Sequence, residues 1–141
     1  MTQELSYDQS KRALPLIHFS LIVGIILVNV FFYFSMGPNT IEASLQLNPI
    51  SMGILVLSAM LIYFSNYMFS KTIQKIGTDT LNATNTQAIT AAYILKWSLL
   101  EAVLLINSIS IYFILPPSAF FIHLLMILFT LAILIVSKAK T

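Results

Sequence analysis

Apolar residues fill four long runs, and short polar segments separate them. The runs cover about residues 14–36, 50–69, 88–115 and 118–137. A helix needs roughly 20 mainly apolar residues to cross about 30 Å of hydrocarbon. Each run meets that length, so the pattern predicts an all-α membrane protein, a four-transmembrane-helix up-down bundle. Residues 1–13 read as a polar tail, 14–137 as a single transmembrane domain and 138–141 as a basic tail. The first run is longer than the 7–15 residues of a signal-peptide core and has no small-residue cleavage site after it, so it is expected to be retained.

Proline and capping signals place the breaks. The first span should end at Gly37-Pro38. Pro49 suits the first turn of the second helix, where a missing N–H costs nothing. Thr84-Asn85-Thr86-Gln87 has the form of a capping box and predicts the third helix start. Pro116-Pro117 should force a tight turn, since neither can donate a helical hydrogen bond.

Composition agrees with the pattern. The chain is 58% hydrophobic and only 9% charged, whereas soluble domains carry about 25% charged residues. With no cysteine, disulfides, thiolate nucleophiles and cysteine metal sites are excluded. A net charge of +2 gives no reason to expect nucleic acid as a partner. The basic residues carry a different message. Lys11 and Arg12 precede the first span, Lys71 and Lys75 follow the second, and Lys138 and Lys140 follow the fourth. Segments 37–48 and 116–117 have neither Lys nor Arg. Both termini and the loop after the second span should therefore be cytoplasmic. Asn82-Ala83-Thr84 fits the glycosylation pattern but falls on that cytoplasmic side, so it is set aside.

Glu101 is the outlying polar residue within the spans. An acid at the bilayer centre costs roughly 2.5–3.5 kcal/mol on insertion scales and usually faces the bundle interior. At 100° per residue, Thr90, Trp97, Ser108 and Tyr112 fall within about 40° of it. They form a polar stripe that should face other helices. Lys96 falls roughly 140° away and should reach toward the headgroups, with Trp97 at the same interface. Depth adds His18 from the first span and Asn66 from the second, giving a candidate ion- or proton-binding layer of Glu101, His18 and Asn66. Glu101 would stay protonated there or pair with protonated His18. The structural alternative makes the same groups interhelical staples, together with Asn29, Ser58 and Asn107. His123, near the outer end of the fourth span, reads as solitary and interfacial. No catalytic or metal motif is legible, which implies no cofactor and no enzyme activity.

Ser98-Leu99-Leu100-Glu101-Ala102, followed by an apolar run, resembles the carboxylate helix of the proteolipid c subunits of rotary ATPases. The likeness covers the third helix and implies Glu101 as carrier of a coupling proton or sodium ion. The glycine-rich partner helix of that family is missing, since the second span offers only Gly53. Length and span number are also similar to small multidrug transporters, but their essential acid lies on the first helix, and span one has none. The whole chain is similar to small four-span bacterial membrane proteins with a Leu-Leu-Glu-Ala element, here Leu99-Leu100-Glu101-Ala102. That likeness implies a multi-pass protein of the bacterial inner membrane. The expected role is a non-catalytic accessory or assembly subunit, with a proton- or cation-coupled component using Glu101 as the alternative. Expected partners are the lipid bilayer and either further copies of the chain or another membrane protein.

Overall fold

The structure, a computed structural model, describes residues 2–36, 47–76 and 83–137. The described residues are helical apart from short connections: α1 (Thr2–Met36), α2 (Pro49–Ile76), α3 (Ala83–Ile109) and α4 (Phe120–Val136). All four are long and apolar enough to cross a membrane. The expected loop between the first two spans, the Gly37-Pro38 stop and the tail from Lys138 lie outside the described residues. So does most of the loop before α3.

Several helix ends follow from local chemistry. Asn48 caps α2: its Oδ1 accepts the Ser51 backbone N–H at 2.6 Å, and Pro49 occupies the first turn, where no donor is missed. α1 is helical from Thr2, so the stretch expected as a tail continues the first helix. Its Gln, Glu, Leu, Lys and Arg residues are good helix formers. Pro15 lies within that helix and lacks the N–H that would bond one turn back. The end of α3 is more unusual. Pro116 holds Leu115 extended, at φ −94° and ψ 149°. The last turn widens into a π-helix over Ser110–Ile114, closed by Leu115 N–H donating to Ser110 O at 2.8 Å. A short 3-10 turn, Pro117–Ala119, then leads into α4.

Side-chain pairs set the packing. α3 is central and touches the other three helices. Phe69 meets Tyr93 and Ser58 meets Asn107, so α2 and α3 run in opposite directions. Trp97 meets Ser137 and Asn107 meets His123, so α3 and α4 do too. His18 lies on Trp97 and Phe32 on Tyr112, which makes α1 and α3 parallel. Leu14 and Ile25 from α1, Trp97, Leu100 and Leu104 from α3, and Ile127 and Leu134 from α4 form the apolar core.

The buried face of α2 uses small residues. Ser51, Ser58 and Ser65 recur every seventh position and are all buried. In hydrocarbon, apolar side chains gain little by leaving lipid, so close approach and interhelical hydrogen bonds hold helices together. A period of seven keeps such residues on one seam between slightly crossed helices. Much of the exterior is large and apolar, as Phe34, Tyr63, Phe113 and Phe129 show.

Candidate functional site

Two polar clusters occupy opposite ends of α4. The first joins α2, α3 and α4 near the starts of α2 and α4. Ser51, Ser58, Asn107 and His123 are all fully enclosed. Asn107 Nδ2 donates to Ser58 Oγ at 2.7 Å and to the Val103 carbonyl at 2.9 Å. The Ser58 hydroxyl donates onward to Ile54 O at 2.8 Å. A carbonyl can only accept, so the amide nitrogen faces Val103 and its Oδ1 faces His123. His123 Nδ1–H then donates to Asn107 Oδ1 at 2.7 Å, and Nε2 of the neutral ring accepts the Ser51 hydroxyl at 2.8 Å. The network therefore fixes the tautomer.

His123 is thus not solitary, as its place near a span end suggested; it is the hub of a closed network. Ser51, His123 and Asn107 follow the order nucleophile, base, orienting group that hydrolytic triads use. The Ser51 hydroxyl has no exposed surface, however, so no substrate atom can stand beside it in this conformation. What the arrangement does do is pin three helices together. The serine period was a signal available in the sequence, since Ser51, Ser58 and Ser65 share one helix face. The Ser51–His123 pairing was not, because it joins residues 72 positions apart.

The second cluster caps the other end of α4. His18 Nε2–H donates to the Leu134 carbonyl at 2.7 Å. That acceptor also receives the Ser137 hydroxyl at 2.8 Å. Trp97 Nε1–H is shared between Ser137 O and Oγ, both at 3.1 Å. The last carbonyls of a helix lack intrahelical donors, and here α1 and α3 supply them. The His18 and Trp97 rings lie 4.7 Å apart, and Tyr93 and Phe69 extend the aromatic row. Trp97 is enclosed rather than lipid-facing, because its N–H has a partner inside the bundle.

The residues expected in one layer engage different groups. His18 uses the Leu134 carbonyl. Asn66 donates to Ile62 O in its own helix, at 3.2 Å. Glu101 is half-buried and has no hydrogen bond or ion pair among the described residues. Of the stripe around it, Trp97 and Ser108 are enclosed, while Thr90 and Tyr112 are half-buried. Trp97 meets His18 and Tyr112 meets Phe32 at 5.4 Å, so the stripe faces α1, with Glu101 between those contacts. Ser108 bonds within its own helix, to Leu104 O. Of the other staples, Asn107 and Ser58 meet across helices, while Asn29 donates to Ile25 O in its own. Among the described residues no three His, Asp or Glu side chains converge as metal ligands would.

No family model, curated protein or solved structure matches the chain.

Proposed function

We propose that the chain is a multi-pass protein of a bacterial inner membrane, with both termini cytoplasmic, acting as a non-catalytic accessory or assembly subunit. The supporting observation is where its buried polar groups point. Both ring nitrogens of His123, both ends of the Asn107 amide and the Trp97 N–H have partners inside the bundle. A hydrogen-bonded interior with an extensive apolar exterior suits a protein that works by contact with other membrane components. Retrieval from membranes in mild detergent tests this. Co-purification of a stoichiometric membrane partner or a defined homo-oligomer is expected. A monomer that always emerges alone would contradict it.

One observation favours a second reading, in which Glu101 couples a proton or cation to movement. It is a carboxylate within a span, half-buried, without a partner among the described residues, and acids so placed are often functional. This reading expects a hydrophobic carbodiimide to modify Glu101 in native membranes and to leave Glu101→Gln unmodified. Absence of that adduct would dismiss it.

A further inference from the structure

The Ser51–His123 bond marks where α2 and α4 meet, and a trough lies between these helices. One stretch, about 510 Å³, is lined by Met52, Val56 and Ala59 of α2 and by Ile122 and Phe129 of α4. A second stretch, about 430 Å³, is lined by Lys96 of α3 and by Phe129, Ala132, Val136 and Ser137 of α4. Phe129 lines both, and the α4 residues of the two stretches, Ile122, Phe129, Ala132 and Val136, fall on one face of that helix. From Val136 to Ile122 this is about 21 Å at 1.5 Å per residue. The chains of one leaflet occupy about 15 Å, half the hydrocarbon thickness.

The trough is apolar except at one end. There the half-buried Lys96 ammonium stands 4.7 Å from the centre of the Phe69 ring, and no carboxylate pairs with it among the described residues. A cation over a ring face keeps N–H donors free for an anion. The Ser137 hydroxyl borders the same end. A long apolar trough ending in an ammonium matches an anionic headgroup with an acyl chain attached.

We propose that the trough seats one acidic phospholipid, its phosphate on Lys96 and an acyl chain running past Ala59 and Phe129 toward Val56. This rests on the membrane reading above. It adds a ligand class to a surface that reading leaves general.

Trp97 is the sole tryptophan and follows Lys96 in the chain, so its fluorescence can report the site. The purified protein is reconstituted into vesicles of phosphatidylcholine containing brominated phosphatidylglycerol or brominated phosphatidylcholine, and quenching gives relative affinities. The wild type is expected to prefer the brominated anionic lipid about fivefold, the effect of one basic side chain near the surface. Lys96→Gln should bring the ratio to parity. Lys71→Gln, whose ammonium lies over Tyr67 on α2 instead, should leave it unchanged. Ala59→Phe, which fills the trough and keeps the charge, should also lose the preference. Circular dichroism on each variant checks that the fold persists.

Parity in the wild type overturns the proposal, and so does a full preference in Lys96→Gln. A preference kept by Ala59→Phe shows a surface charge effect and overturns the seated chain. Displacement of the phospholipid by equimolar palmitate overturns phospholipid as the occupant. Failure to float with vesicles overturns the membrane reading and this proposal together. Incorporation without lipid preference overturns this proposal alone.

Discussion

His123 and Glu101 both carry an ionisable group into an apolar span, on helices that pack against each other. The bundle treats them in opposite ways. His123 is enclosed and bonded through both ring nitrogens to α2 and α3. Glu101 is half-buried and has no partner among the described residues. The same contrast separates Trp97 from Lys96, neighbours in sequence. One is sealed against α4, and the other borders an open trough. The difference teaches that a polar residue's place along a span does not decide its role. What decides it is whether a neighbouring helix offers a complementary atom at that level and angle.

The largest effect should come from the closed side. His123→Ala removes the hub and strands the Ser51 hydroxyl and Asn107 Oδ1, and should destabilise the protein by on the order of 3 kcal/mol. Denaturation with dodecyl sulfate in mixed micelles measures it. A loss below 1 kcal/mol would erase the contrast with Glu101. Next, Trp97→Phe keeps the aromatic packing and removes only the N–H shared by Ser137. A loss of about 1 kcal/mol is expected, with faster amide exchange confined to the last turn of α4. Uniform exchange changes throughout the bundle would count against a local cap. A double-mutant cycle of Ser58→Ala and Asn107→Ala sharpens the picture further. Their coupling should be about 0.6 kcal/mol, the mean for interhelical hydrogen bonds in membranes, and zero coupling would deny the bond across α2 and α3. The smallest effect belongs to Glu101→Gln, which breaks no hydrogen bond or ion pair among the described residues and should shift stability by less than about 0.5 kcal/mol. A large loss there would place Glu101 with His123 as a structural residue.

Much of the architecture was legible because hydrophobic run length and proline leave strong traces. The four apolar helices, the first-turn position of Pro49 and the break at Pro116-Pro117 all follow from rules one residue or one turn in range. So does the inward turn of Trp97 and Ser108, since helical periodicity carries that information. The polar partners were harder to read. For His18 the expected partners were the Glu101 and Asn66 side chains. The acceptor is a main-chain carbonyl, that of Leu134, which residue type does not reveal. His123 needed the opposite knowledge: its partners are side chains, but on two other helices. The π turn at Ser110–Ile114 was also out of reach, because a helix can end before Leu115-Pro116 in several ways.

The two histidines offer the most direct test of how the bundle uses its polar groups. The networks place ring protons differently: Nδ1–H on His123, which donates to Asn107, and Nε2–H on His18, which donates to Leu134 O. Nitrogen-15 solid-state NMR of histidine-labelled protein in lipid bilayers should show a protonated Nε2 on His18, and on His123 a protonated Nδ1 beside an unprotonated Nε2. A His123 ring protonated at Nε2, or a His123 signal averaged between both tautomers, would contradict the closed network around His123.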